Sequence, residues 1–264
     1  MLSPRTAHLD LAEAASHFEE HGFAPLGRVL TDEGAAALAA RAEALMGARA
    51  PHPGVFYQHD SPSGRYEDLD FGKGWVGPSD RYRKLEKLEA DPQFGRFIEN
   101  GFFARLTRQL LGADVFLYRA VLWNKAPRVG MAVPWHQDDG RFWGLDRAPF
   151  LQVWTALDDA PIEAGCLQVL PGSHRAGLAT PEGGTIPQRA LDAEDAGRTS
   201  VALPARRGES FLVHNHTWHR TGRNRTPSPR RAVSISFLDG RTRCRRRRRA
   251  PRQFPQLFLD PAPS

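Results

Sequence analysis

A chain of 264 residues with 41% hydrophobic and 25% charged side chains has the balance of a globular protein with a sizeable core, which excludes a disordered chain. Two cysteines, Cys166 and Cys244, exclude a disulfide framework or a four-cysteine zinc site, and no run approaches the roughly 18 apolar residues of a membrane-spanning helix. The net charge of +6 is local: residues 241–264 hold eight arginines and Asp260, a net +7, which leaves the first 240 residues at −1 and disfavours a nucleic-acid-binding face.

The segment from Met1 to Arg5 lacks the apolar run of a signal peptide, so the expected compartment is the cytoplasm. Residues 9–21 read as a helix. A second starts at Thr31, whose side chain suits a cap, with Asp32 and Glu33 in the first turn and Ala35, Leu38, Ala42 and Leu45 at helical spacing. Residues 47–80 are rich in Pro, Gly, Ser and aromatics and are expected to form a long loop that covers a pocket. Residues 81–111 return to an apolar pattern of helical type, closed by Gly112. From Val115 the pattern changes to short strand-like runs at 115–123, 150–157, 166–170, 209–214 and 232–238, separated by turn signals. A helical lead-in (1–112) before a strand-rich core (113–240) predicts one mainly β domain with flanking α-helices, of sandwich or barrel type. The arginine-rich tail (241–264) is expected at the surface, with Phe254, Leu257 and Phe258 able to dock back on the body.

His136 and Asp138 are the sharpest chemical candidates, because two residues two apart on a strand share a face and can grip one metal ion. His8/Asp10 and His17/Glu19 have the same spacing, but near or in a helix such positions diverge by about 200°. A third ligand has to come from elsewhere, and His214, His216 and His219 stay open at this point, with His174 expected at a loop or pocket rim. Two histidines and one carboxylate leave coordination positions open, which suits Fe(II) binding a chelating cosubstrate and O₂ rather than structural zinc. In the run from Arg230 to Phe237, alternation puts Arg230, Ala232, Ser234 and Ser236 on one small, polar face. Arg230 at the head of that face is placed to clamp a carboxylate.

These residues belong to ordered blocks: Lys125-Ala126-Pro127, Pro134-Trp135-His136-Gln137-Asp138, Trp154 to Asp159, Gly165 to His174, His219 to Asn224 and Arg230-Arg231-Ala232. In that order they resemble the phytanoyl-CoA dioxygenase family of Fe(II)- and 2-oxoglutarate-dependent oxygenases. The resemblance implies a double-stranded β-helix, or cupin-like jelly roll. It selects His219 as the third ligand beside His136 and Asp138, and it makes Arg230 the anchor of the 2-oxoglutarate carboxylate, with Thr221, Trp154, Tyr118 and Lys125 as further cosubstrate positions. Arg220 stands where the family usually has Gly, which implies a narrowed pocket. The presence of Asp138 argues against a halogenase. The implied reaction consumes O₂ and 2-oxoglutarate and oxidises a C–H bond by hydroxylation or oxidative cyclisation.

The substrate wall is expected to include Phe56, Tyr57 and Trp75 from the long loop, and Asp139, Arg141, Phe142 and Trp143 after the metal pair. This mixture suits a small polar molecule, such as a sugar or aminocyclitol intermediate of an antibiotic pathway. An acyl-CoA or acyl-carrier substrate is the alternative, and a non-catalytic jelly-roll binding protein is a second one.

Overall fold

The computed structural model describes residues 9–246 and 251–258. Helices α1 (Leu11–His21) and α2 (Asp32–Gly47) flank strand β1 (Phe23–Arg28). Each helix begins where a side chain satisfies free backbone N–H groups: Asp10 accepts from Ala12 and Glu13, and Thr31 accepts from Gly34.

Two sequence expectations need correction in the next stretch. The segment 47–80 contains a strand, β2 (Phe56–His59), and residues 82–86 form β3 (Tyr82–Glu86) rather than helix. Leu85 and Leu88 lie three apart and mimic a helical face, but Leu85 pairs with Leu122 of the next strand and with Tyr57 of β2. Helix resumes only at α3 (Pro92–Ile98), capped by Asp91 with Pro92 in its first turn, and at α4 (Gly101–Leu111), capped by Asn100 and ended at Gly112.

The remaining elements are β4 (Val115–Lys125), β5 (Val133–Gln137), β6 (Leu151–Ala156), β7 (Leu167–Val169), β8 (Gly184–Thr185), α5 (Gln188–Ala193), α6 (Ala196–Thr199), β9 (Val201–Leu203), β10 (Glu209–Val213), β11 (His219–Thr221), β12 (Arg230–Asp239) and β13 (Gln256–Leu257). They form two antiparallel sheets. The larger runs β1-β10-β6-β12-β4-β3-β2, with β13 added to β4, and the smaller runs β8-β5-β11-β7-β9. Face to face they make a mainly β double-stranded β-helix, the jelly-roll architecture.

The helices cover the outer face of the larger sheet. Phe18, Leu38, Leu45, Phe94, Phe103 and Leu106 pack there against Leu122, Val153, Val233, Ile235 and Phe237. Strands inside the sheet therefore have no solvent face, and all six residues of β6 are buried. Arg231 shows what a charge on that face needs. It donates to both carboxylate oxygens of Asp158 (2.6 and 2.9 Å) and reaches Glu43 of α2.

The tail docks as the sequence suggests. Leu257 is buried in the main core, Phe258 packs on its edge, and Phe254 packs beside Tyr118 and Trp143. Arg245 and Arg246 are exposed, while Arg247 to Arg249 lie outside the described residues. Both cysteines are free thiols. Among the described residues, no helix is long and apolar enough to cross a membrane.

Candidate active site

One wall of the site follows from strand register. Along β4 and β12, Lys125 lies opposite Arg230, Trp123 opposite Ala232, Val121 opposite Ser234 and Arg119 opposite Ser236. Along β12 and β6, Ser234 lies opposite Trp154 and Ser236 opposite Gln152. Directly opposed residues share a face, so this set points to the smaller sheet while the alternate residues fill the core. Lys125, Trp123, Arg230, Ser234, Trp154 and Gln152 all line one cavity between the sheets.

The other wall carries the histidines. His219 of β11 pairs in register with His136 of β5, which brings the ring centres to 4.0 Å. Asp138 follows directly after β5, with Oδ2 3.5 Å from His219 Nε2 and Oδ1 4.0 Å from His136 Nε2. His136 Nδ1 lies 2.9 Å from the Pro134 carbonyl and His219 Nδ1 2.8 Å from the Thr217 carbonyl. A carbonyl only accepts, so each Nδ1 carries a proton, and each Nε2 is the ring nitrogen turned to the centre of the cluster. Among the described residues this is the one group of three His, Cys, Asp or Glu side chains whose ligand atoms all lie within 4.8 Å of one another.

Electrostatics set the protonation that a divalent metal needs. Burial and the neighbouring His219 ring hold the His136 pKa down at about 4, so the ring is neutral at pH 7. Burial pushes the Asp138 carboxyl up, but Arg119 and the two imidazoles outweigh it and hold the group well below its ordinary value. Arg119 Nη2 donates to Asp138 Oδ1 (2.9 Å) and Gln152 Nε2 donates to Oδ2 (3.0 Å). Backbone bonds to Asn215 fix the same residue: its N–H donates to the Asn215 carbonyl, and Asn215 Nδ2 donates to the Asp138 carbonyl.

Arg119, Gln152 and Asn215 were not found by sequence reasoning. Arg119 was legible in principle, because it lies three alternations back from Lys125 on β4 and so shares its face. It also ends a stack of rings and cations. Its guanidinium lies 4.5 Å from the Trp143 ring centre, Trp143 stacks on Tyr118 (4.2 Å, 8° between planes), and Arg252 lies 4.8 Å from the Tyr118 ring.

The cavity's other end fits an anion. Arg230 is 1% exposed, and its Nε and Nη1 have no hydrogen-bond partner among the described residues. Thr221 Oγ1, on the same face as His219, is likewise buried without a partner. Burial lowers the Arg230 pKa to about 10, which still leaves the guanidinium charged at neutral pH. Lys125 adds a second buried nitrogen, bonded to the Met131 carbonyl; burial and then Arg230 hold its pKa well below the ordinary lysine value. Unpaired, charged donors of this kind are costly alone and complementary to a carboxylate.

Other expected site residues lie elsewhere. Phe56 sits half-buried at the sheet edge, Tyr57 is buried in the main core, and Trp75 stacks on Tyr82 at 5.3 Å, so none of the three lines the cavity. The segment 47–80 instead presents Tyr66 and Phe71 to the outer cavity. Asp139 faces His216 (2.8 Å), and Arg141 pairs with Glu182 at the surface. Trp143 is buried against Tyr118, leaving Phe142 on the outer cavity wall. Tyr118 belongs to that outer cavity, not to the chamber of Arg230. Trp154, Thr221 and Lys125 do line the inner chamber. Arg220 does not narrow it: alternation on β11 turns it outward, where it donates to Gln168 and lies over Trp135. His214 packs among Phe18, Phe150, His174 and His216, away from the cluster.

A jelly roll with a neutral His, His and ionised Asp beside an unpaired buried arginine defines the class of Fe(II)- and 2-oxoglutarate-dependent dioxygenases. The family model for phytanoyl-CoA dioxygenase (PhyH) matches residues 18–232, and the chain belongs to that family. The peroxisomal phytanoyl-CoA dioxygenase of Mus musculus is 25% identical over 242 residues, covering 88% of this chain and 69% of its own. Among solved structures, the carbocyclase SnoK from nogalamycin biosynthesis superposes with a TM-score of 0.73 at 21% identity, covering 96% of this chain and 98% of its own. The epimerase SnoN, in complex with Fe³⁺, alpha ketoglutarate and nogalamycin RO, has a TM-score of 0.70 at 20% identity, covering 89% and 86%. These likenesses show the fold.

Proposed function

We propose that this dioxygenase oxidises a C–H bond of a small polar molecule of the natural-product type, by hydroxylation or oxidative cyclisation. His136, Asp138 and His219 would hold Fe(II) through two Nε2 atoms and one carboxylate oxygen, and Arg230, with Thr221, would hold a carboxylate of 2-oxoglutarate. The observation that carries this reading is the shared cavity: the three ligands and the unpaired donors of Arg230 line the same space between the sheets. When bound, Fe(II), 2-oxoglutarate and O₂ supply the oxidising power, with 2-oxoglutarate leaving as succinate and CO₂.

The chain contributes preparation. Arg119 and Gln152 fix the carboxylate before metal arrives, the Pro134 and Thr217 carbonyls fix both imidazole tautomers, and the core behind β6 and β12 keeps water from the far side. SnoK and SnoN, both named for nogalamycin biosynthesis, support a tailoring role on a natural-product intermediate. The mouse relative, named for a coenzyme A thioester, supports the second reading, an acyl-CoA substrate.

The test is O₂-dependent succinate formation from 2-oxoglutarate. The wild type is expected to release succinate with Fe(II). His136→Ala, Asp138→Ala and His219→Ala are each expected to lose at least about 100-fold, as removal of a metal ligand does. Undiminished release in all three variants contradicts the assignment.

A further inference from the structure

Outside the inner chamber a second cavity of about 440 Å³ opens onto His136 and Asp138, which gives a substrate room beside the metal ligands. Its charged lining is unbalanced. Six cationic side chains face it (Arg83, Lys84, Lys87, Arg119, Arg246 and Arg252) against three carboxylates, Glu86, Glu89 and Asp138. Two pairs cancel: Lys84 with Glu86 at 2.8 Å and Arg119 with Asp138 at 2.9 Å.

The other four cations have no carboxylate within ion-pair distance among the described residues; Glu89 is the one carboxylate of the lining outside those two pairs, and Asp60, which is buried, and Glu86 act on Arg83 from a longer range. Their positions are built. Arg83 is 4% exposed, held by Gln58 (2.7 Å), with its guanidinium beside the Trp123 and Tyr66 rings. Arg252 bonds the Tyr118 carbonyl and lies by the Tyr118 ring, and Arg246 donates to the Phe142 carbonyl at 2.7 Å. Each guanidinium has five N–H groups, so each keeps donors to spare.

Beside them two large rings stand uncovered on the same wall: Phe71 is 57% and Phe142 55% exposed. Exposed rings next to unpaired guanidinium groups in a concave site suit a ligand with an apolar or ring-shaped body and a negative end.

We propose that the substrate of this oxygenase carries an anionic group, phosphate or carboxylate, bound by Arg246, Arg252, Lys87 and Arg83, with its body against Phe71 and Phe142. The proposal rests on the oxygenase reading and narrows it. A polyamine ring such as an aminocyclitol has the wrong sign for this cavity, while an acidic sugar, a phosphorylated intermediate or an aromatic acid has the right one. The cationic excess of this concave wall also draws such a ligand in from solution, an effect that added salt weakens.

The test uses the full chain, anaerobic, with saturating Fe(II) and 2-oxoglutarate, so that the visible band of the chelate reports on the oxygenase reading independently. Four ring probes of similar size are then titrated calorimetrically: phenyl phosphate, benzoate, benzyl alcohol and benzylamine. At least one anionic probe is expected to bind about ten-fold or more tighter than benzyl alcohol, with benzylamine weakest, as charge-assisted bonds to guanidinium groups require. The order of phenyl phosphate and benzoate identifies which anion the site is built for. The double variant Arg246→Gln/Arg252→Gln is expected to lose the preference while its chelate band stays unchanged, and Lys87→Gln, on an exposed side chain, serves as a milder variant. No preference for the anionic probes over benzyl alcohol, through equal binding or none, overturns the proposal. An anion preference without the band overturns the oxygenase reading and keeps the anion site.

Discussion

Asp138 is oriented before any metal is considered. Arg119 holds one carboxylate oxygen and Gln152 the other, and neither contact depends on the histidines. Fixing a ligand in this way lowers the reorganisation that metal binding has to overcome, and partners of this kind typically change metal affinity by about 10–100-fold. Arg119→Leu is therefore expected to weaken Fe(II) binding by about that factor in a competition titration, with Arg119→Lys recovering part of it. The sequence showed His136 and Asp138 through their spacing, and Arg230 through the alternation that follows it. It left the third histidine open among His214, His216 and His219, because the choice is made by a pairing between distant segments. His219 lies opposite His136 in register, whereas β10 ends before His214 and sends it into an aromatic cluster. The family resemblance supplied what local pattern did not.

At the scale of elements, strands with strict alternation were legible and those without it were not. β12 presents Arg230, Ser234 and Ser236 inward and Val233, Ile235 and Phe237 to the helices, which is what its sequence announces. β3 reads as helix because Leu85 and Leu88 lie three apart and no two-residue period opposes them: a register shift in its pairing with β2 leaves Arg83 as an extra residue and breaks that period. The shift has a use, since it is Arg83 that reaches the cavity. β12 also bears the joint between sheet and helical layer. Arg231 links Asp158 and Glu43 of α2 with its side chain 6% exposed. Removing one member of a buried pair strands the other, so Arg231→Ala is expected to cost about 3–5 kcal/mol in denaturant unfolding. Arg231→Met together with Asp158→Asn is expected to cost less than Arg231→Ala alone, because no buried charge is left without a partner.

At the scale of the whole molecule, the chain's two unusual stretches meet at the outer cavity. The segment 47–80 sends Tyr66 and Phe71 to it, and the tail sends Arg246 and Arg252. The sequence leads one to expect segment 47–80 over a pocket, but which of its rings reach the cavity, and the tail's part in it, were not legible. The tail looked like a solvated run of charge, and Phe56, Tyr57 and Trp75 looked as fit for a pocket as Tyr66 and Phe71, because composition does not tell which rings a strand turns into the core. Between the cavity and the core the tail is anchored by β13, where Leu257 is buried. Ending the chain at residue 250 removes that burial, worth about 1.5–3 kcal/mol for a leucine-sized side chain. The expected result is a thermal midpoint lower by about 5 °C, with the metal site's own residues left in place.

The central claim is that the His136, Asp138 and His219 cluster and Arg230 form one site for Fe(II) and 2-oxoglutarate. The direct measurement is anaerobic: Fe(II) and then 2-oxoglutarate are added to metal-free protein while the weak visible charge-transfer band of the chelate is followed, in the wild type and in Arg230→Ala. The account predicts a band in the wild type and a requirement for at least about ten-fold more 2-oxoglutarate in the variant, since the lost bond is a buried, charge-assisted one. No band in folded, metal-loaded wild type, or an identical titration in Arg230→Ala, would contradict it.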